Sequence, residues 1–157
     1  MTGCTIGFVG AGHIAGAIIQ GMVGSGKIPP EQVGICDVIP ASMERYAKGG
    51  HPTFSSIPAM MKACQIVVLA VKPQNMADVL PKVKEGLTPR TILVSVAAGV
   101  TAQRIKAVVG ECSLILAMPN TPVELGQGAI ALGRVEPTTA QQMEQVKAVF
   151  STCALVE

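Results

Sequence analysis

The sequence has few aromatic residues, few charged residues, no tryptophan and no long hydrophobic run. Aromatic residues make up 3% of the 157 positions and the formal net charge is +2, so the stacking side chains and basic surface used for nucleic-acid binding are lacking. Gly and Pro interrupt every apolar stretch before it approaches the ~18 residues of a membrane helix. We therefore expect neither a nucleic-acid partner nor a membrane partner.

Paired cysteines and a leader pattern are also missing. The five cysteines lie far apart and form no Cys-x-x-Cys pair, which matches neither a disulfide framework nor a metal site. No basic segment precedes the first apolar stretch, as a signal peptide would require. These features predict reduced thiols in a cytoplasmic protein without a metal centre.

Short β-branched runs alternate with helical patterns along almost the whole chain, and 49% of the residues are hydrophobic. Both features are typical of βαβ units, whose parallel strands are buried on both faces. We predict that residues 1–157 form one α/β domain, a Rossmann-type doubly wound and mainly parallel sheet with helices on both faces. Predicted strands are 5–9, 33–37, 65–70, 91–96 and 113–118, with weaker ones near 53, 129–132 and 154–156. Predicted helices are 12–23, 41–48, 57–63, 75–85 with a kink or break at Pro81, one capped by Thr101 and ending at 109, and 140–150 with a Thr139/Gln142 capping box.

The strand at 5–9 runs directly into the pattern Gly-x-Gly-x-x-Ala, from Gly10 to Ala15. A glycine at Gly10 permits a tight turn, and a glycine at Gly12 lets backbone approach a pyrophosphate closely. The following helix would point its free N–H groups at the phosphates. The strand before the pattern and the helix after it favour dinucleotide binding over a purely structural glycine turn.

The residues that follow the other strands are further candidates, because ligands of open α/β sheets sit beyond the carboxyl ends of the strands. Asp37 is placed to accept hydrogen bonds from a ribose, or is a solvated strand-end residue. Lys72 is either a ligand contact or a surface side chain. The small residues 97–99 leave room for a flat ring or for close packing, and Asn120 offers a hydrogen bond to the same crevice or makes a turn.

The two histidines, His13 and His51, stand in no recognisable pairing with each other or with a carboxylate. Neither a catalytic triad nor a metal site can be argued from them. The sequence therefore assigns no catalytic residue.

Four ordered motifs carry a family resemblance that spans essentially the whole chain. They are Ile6 to Ala15, Ala70-Val71-Lys72-Pro73, Ser95 to Thr101, and Met118-Pro119-Asn120-Thr121-Pro122. Together they resemble pyrroline-5-carboxylate reductase, a family that reduces the cyclic imine 1-pyrroline-5-carboxylate to proline with NADPH or NADH. Other readings are the Rossmann domain of a 3-hydroxyacid or prephenate dehydrogenase, or a non-catalytic dinucleotide-sensing module.

The resemblance implies a set of cofactor-binding residues. The pyrophosphate would lie on Gly10, Gly12, His13, Ile14 and Ala15, the adenosine side on Val71, Lys72 and Pro73, and the nicotinamide side on Ala97, Ala98 and Gly99 with Asn120 nearby. Ala11 lies within the same glycine turn, and Asp37 is added to the adenosine side by its position after the second strand. A carboxylate at Asp37 suits the ribose 2′-hydroxyl of NADH and repels the 2′-phosphate of NADPH, and the nearest following arginine is Arg45. We therefore expect NAD(P)H with a weak preference for NADH.

Members of this family continue into a helical dimerisation domain that carries a Ser-Gly-Ser-Gly-Pro substrate loop. The present sequence ends at Glu157, and no substrate-carboxylate site follows its last motif. The expectation is a cofactor-binding half that is inactive alone, with a C-terminal substrate domain and a homo-oligomer in the full-length protein.

Overall fold

The computed structural model describes residues 4–119 and 128–156, in which seven strands form one sheet. The strands are β1 (Cys4–Val9), β2 (Val33–Cys36), β3 (Cys64–Leu69), β4 (Ile92–Ser95), β5 (Ser113–Pro119), β6 (Ala129–Val135) and β7 (Leu155–Val156). Their order is β2-β1-β3-β4-β5-β6-β7, and all neighbours are parallel except the antiparallel pair β5 and β6. The mainly parallel sheet predicted from the sequence is confirmed.

Within residues 4–119 and 128–156, six α-helices cover the two faces of the sheet. They are α1 (His13–Gly24), α2 (Pro40–Lys48), α3 (Ile57–Ala63), α4 (Met76–Gly86), α5 (Ala102–Val109) and α6 (Ala140–Phe150). One core cluster joins α1 and α6 to the sheet through residues such as Ile18 and Phe150, and the other joins α3, α4 and α5 through residues such as Met60 and Leu80. Burial between two helical layers explains why the strands are almost continuously hydrophobic.

The strands β2 and β3 lie on opposite sides of β1. The chain passes through α1 to β2 on one side of β1 and later returns through α3 to β3 on the other side. This reversal makes the carboxyl ends of β1 and β3 a topological switch point, the place where open α/β sheets bind ligands. No helix among the described residues is long and apolar enough to cross a membrane.

The weak strand predicted near Thr53 is only a single parallel bridge between Ile35 and Thr53. The backbone of Ile35 bonds the carbonyl of Pro52 and the amide of Phe54, both at 2.9 Å. The segment cannot extend further, because Ser56 already caps α3 by accepting from the Ala59 amide at 3.2 Å. The bridge still occupies the position of an outer strand beside β2, as a Rossmann-type sheet requires.

The predicted break at Pro81 is wrong. Residues 76–86 form one α-helix that contains Pro81, and the irregular step is a 3-10 turn over Pro73–Asn75 before it. Pro81 has no N–H that could donate to the Ala77 carbonyl. Both residues lie on exposed positions, so water can donate to that carbonyl instead. The other helices begin and end within about two residues of the prediction, the usual precision of helix boundaries.

Both predicted helix caps are confirmed. Thr101 Oγ1 accepts from the Arg104 amide at 3.1 Å. Thr139 Oγ1 accepts from the Gln142 amide at 3.1 Å, and Gln142 Oε1 accepts in return from the Thr139 amide at 2.9 Å. This reciprocal capping box fixes the start of α6.

Candidate functional site

Backbone hydrogen bonds align the carboxyl ends of β1, β2, β3 and β4 along one edge of the sheet. The Gly10 amide donates to the Cys36 carbonyl at 2.9 Å, the Ala70 amide to Val9 at 2.8 Å, and the Val96 amide to Leu69 at 3.2 Å. These bonds continue the sheet by one residue past each strand. The glycine turn, residues 70–73 and residues 96–99 therefore lie side by side at the switch point.

Gly10 connects the glycine turn to the end of β3. Its φ is +96°, in the region that favours glycine. A Cβ at this position would lie 2.9 Å from the Ala70 carbonyl oxygen and 3.0 Å from Val71 Cγ1. Only glycine fits here, and its absence of a side chain lets the turn pack directly on residues 70 and 71.

Gly12 is the N-cap of α1 and serves a different purpose. An ideal Cβ at Gly12 would meet no atom within 4 Å, so the missing side chain leaves open space instead of permitting internal packing. No side chain of the described residues caps the first turn of α1, which begins at His13. A phosphate group binds where uncapped amides and the positive end of a helix dipole face open space.

Asp37 follows β2 and is bonded to the glycine turn. Its Oδ2 accepts from the Ala11 amide at 2.9 Å, and its Oδ1 accepts from the Val38 amide at 2.6 Å and the Ile39 amide at 3.3 Å. Three backbone donors thus fix the carboxylate at the edge of the crevice. A carboxylate offers about four acceptor positions, so one remains for a ribose hydroxyl.

Residues 71–73 and 97–99 flank the same edge, as the sequence predicted. Lys72 is exposed and precedes the 3-10 turn, and the Pro73 carbonyl accepts from Arg104 Nη2 at 3.3 Å. Ala98 and Gly99 are exposed, and Gly99 has φ +77° with open space around its Cβ position. Asn120, the last predicted site residue, lies outside the described residues.

A cavity of about 730 Å³ between α1 and α2 was not predicted from the sequence. It begins at Gly12 and His13 and ends against Arg45, Tyr46 and His51. The Arg45 guanidinium lies 5.0 Å over the Tyr46 ring, whose centroid is 5.3 Å from that of His51. Arg45 is therefore engaged by an aromatic ring and not by Asp37, and no linear pattern predicted this grouping.

Large exposed hydrophobic side chains also concentrate at this edge. Among the described residues they are Ile14, Val38, Ile39 and Met118, with Val38 90% exposed. Each follows or precedes the carboxyl end of a strand. Apolar groups around a crevice with a few polar donors are typical of a cofactor site. The consecutive pair Val38-Ile39 before a proline was the available sequence signal.

The sheet order, the glycine turn and the uncapped start of α1 define the class as a Rossmann-type domain. A family model described as "NADP oxidoreductase coenzyme F420-dependent" matches residues 5–99, and the chain belongs to that family. It is 31% identical to pyrroline-5-carboxylate reductase 3 of Danio rerio over 97% of this chain and 32% identical to pyrroline-5-carboxylate reductase of Pisum sativum over 94%. The resemblance stated from the sequence is confirmed.

The structural comparison agrees. A pyrroline-5-carboxylate reductase structure from Coxiella burnetii matches with a TM-score of 0.89 and 26% identity, covering 99% of this chain and 58% of that one. The chain spans about half the length of the curated relatives, 53% of the Danio protein and 54% of the Pisum protein. The match therefore concerns the glycine-turn half of those proteins.

Proposed function

We propose that this chain is the cofactor-binding half of a nicotinamide-dependent pyrroline-5-carboxylate reductase. The observation that carries the proposal is the sequence match to such reductases over 94 to 97% of the chain, on a fold with an open, uncapped α1 at the switch point. The reaction reduces the cyclic imine to proline: hydride adds to the C=N carbon and a proton adds to the nitrogen.

The residues at the switch point divide the binding of the cofactor between them. Gly12 and the first amides of α1 hold the pyrophosphate, beside Ala11, His13, Ile14 and Ala15. Residues 71–73 and Asp37 line the adenosine side, and 97–99 with Asn120 line the nicotinamide side. The bound nicotinamide supplies the hydride. The chain's contribution is to hold the ring in one orientation, and such positioning can be worth ~7–11 kcal/mol of the barrier.

We assign the binding site for the substrate carboxylate, and the proton donor, to the part of the longer relatives that this chain does not match. This assignment makes the full-length protein a two-part enzyme, with a helical substrate and dimerisation domain and a homo-oligomeric state. A reducing, cytoplasmic setting is part of the proposal. Its support is that all five cysteines are free and that Cys36, Cys64, Cys112 and Cys153 are buried as thiols.

We further propose that NADH is preferred over NADPH. The Asp37 carboxylate is held by three amides and cannot rotate away from a 2′-phosphate, while Arg45 packs on Tyr46. Two like charges ~4 Å apart repel by ~4 kcal/mol at an effective dielectric of about 20, and water at an open edge reduces this value. The remaining acceptor position on Asp37 suits the 2′-hydroxyl of NADH.

The site is tested by comparing two glycines of α1. Gly12→Val places a β-branched side chain in the open space over the helix start and should abolish dinucleotide binding measured by calorimetry. Gly24→Val is the matched control, because it lies at the other end of α1 and its Cβ position is equally open. Equal affinity of the parent and Gly12→Val for NADH would show that the cofactor binds elsewhere.

The preference is tested by parallel titrations with NADH and NADPH. The parent chain should bind NADH more tightly, and Asp37→Ser should raise the relative affinity for NADPH. NADPH binding tenfold tighter than NADH in the parent would overturn this part of the proposal and leave the site assignment intact.

The division of labour is tested by a steady-state assay of the 157-residue chain with the imine and either reduced cofactor. We expect cofactor binding without turnover. Turnover comparable to that of a full-length relative would place the substrate site within these residues and contradict the assignment to the longer segment.

A further inference from the structure

A second cluster of reactive side chains lies at the opposite end of the two central strands. Cys4 and Cys64 begin β1 and β3 and are paired directly across the sheet. They lie about 20 Å from the glycine turn at a strand rise of ~3.3 Å per residue. The proposed cofactor site uses neither of them.

A third sulfur joins this pair. Met60 of α3 is fully buried, and its Sδ lies 2.9 Å from the Cβ position of Gly7, as does Cys64 Sγ. The Cβ position of Gly34 lies 3.3 Å from both Cys4 Sγ and Cys64 Sγ. Two glycines on neighbouring strands therefore leave the space around which three sulfur atoms, from β1, β3 and α3, converge.

The two thiols of the cluster have access to solvent through a cavity of about 600 Å³, which both of them line together with Met61 but not Met60. Lys62 and Arg90 line the same cavity and are exposed. Cys64 is 2% exposed, whereas Cys4 is half-buried. A small ion can thus enter past Cys4, and two cations stand near the entrance.

We propose that Cys4, Cys64 and Met60 form a binding site for a soft monovalent metal ion, with Cu(I) as the probe. Two thiolates and a thioether are the ligand set that soft ions such as Cu(I) select. Binding forms three Cu–S bonds and releases the two thiol protons to solvent, with no change of oxidation state. The resulting complex carries one negative charge, which Lys62 and Arg90 can offset.

The test is an anaerobic titration of the 157-residue chain with Cu(I) against a chromophoric Cu(I) chelator, with sulfur coordination read by X-ray absorption. We expect one Cu(I) per chain. Met60→Leu keeps the side-chain volume and should lower the affinity by at least about tenfold, the scale at which even outer partners of a metal change affinity. Cys4→Ser should lower it further. Thermal unfolding without metal checks that each variant is folded.

Two controls are matched to these variants. Met22 is a fully buried methionine of α1 in the other core cluster, which contains neither thiol; Met22→Leu should leave the affinity unchanged. Cys112→Ser removes a buried thiol outside the cluster and should also have no effect. Failure of the parent to bind Cu(I), equal affinities of Met60→Leu and Met22→Leu, or retention of binding in Cys4→Ser would each overturn the proposal.

Discussion

The two ends of strands β1 and β3 differ in the chemical groups that they offer to a ligand. At the carboxyl end, Gly10 packs on Ala70 and the adjacent helix start is uncapped and open, so backbone N–H groups are available to an anion. At the amino end, Cys4 and Cys64 face each other near the buried Met60, so soft sulfur atoms are available. One strand pair therefore presents hard donors at one end and soft ligands at the other.

The largest expected effect is at the carboxyl end. Gly10→Ala must adopt φ near +96° and place its Cβ 2.9 Å from the Ala70 carbonyl oxygen. Left-handed strain costs ~1–2 kcal/mol and the overlap adds ~1–3 kcal/mol, so we expect the free energy of unfolding to fall by about 3 kcal/mol in denaturant titrations.

Gly12→Ala is the control for this prediction, since its Cβ position is empty and its φ is −79°. It should change the free energy of unfolding by less than about 1 kcal/mol. If the two variants were equally stable, the close contact of Gly10 with the end of β3 would not be what holds the turn.

The corresponding glycine at the amino end is Gly34. Gly34→Ala would place a Cβ 2.9 Å from the Phe54 ring and 3.3 Å from both thiols, although the φ of Gly34 is not in the left-handed region. Overpacking without backbone strain costs ~1–3 kcal/mol, so the loss should be smaller than in Gly10→Ala. If Gly34→Ala lowered the free energy of unfolding more than Gly10→Ala does, the amino end would tolerate less change than the glycine turn.

Sequence reasoning predicted the carboxyl end because its signals are contiguous. Strand, glycines and helix follow one another from Thr5 to Gly24 and can be read in order along the chain. The two helix caps, at Thr101 and Thr139, were predictable for the same reason, since each depends on residues three positions apart. The mainly parallel arrangement of the sheet followed from the alternation of strands and helices.

The amino end was not predictable in this way. Cys4 and Cys64 are sixty positions apart and are brought together only by the crossover through β2 and α3. The sequence spacing of the cysteines indicated no metal site, since linear ligand motifs are absent. The bridge at Thr53 was overestimated as a strand because the sequence around Thr53 does not show that Ser56 already caps α3.

Alkaline pH is expected to destabilise the fold through its buried thiols. Burial raises the pKa of the thiols at Cys4 and Cys64, and raises that of Cys153 to about 11 from 9.0. A raised pKa in the folded state stabilises the fold fully below the unfolded pKa, and this stability is lost as pH rises through the folded pKa. A shift of two units corresponds to about 2.7 kcal/mol, so stability should fall above about pH 9.

Denaturant titrations at pH 7, 9 and 10.5 check this expectation. Cys153→Ala should reduce the alkaline loss of stability relative to the parent, whereas Gly12→Ala, which removes no thiol, should retain all of it. A stability that stayed constant from pH 7 to 10.5 would contradict the burial of these thiols.

The smallest expected effects come from two matched helix caps. Thr101 caps α5 at the carboxyl edge, next to residues 97–99, and Thr139 caps α6 at the amino edge, next to Thr138, whose hydroxyl bonds Leu114. Each Thr→Ala change should lower the free energy of unfolding by about 1 kcal/mol. Because only Thr101 adjoins the nicotinamide side of the proposed cofactor site, only Thr101→Ala should also weaken NADH binding in calorimetry. Thr101→Ser keeps the capping oxygen and should restore both properties. Equal weakening of NADH binding by Thr139→Ala would show that the two ends of the sheet are energetically coupled and not independent.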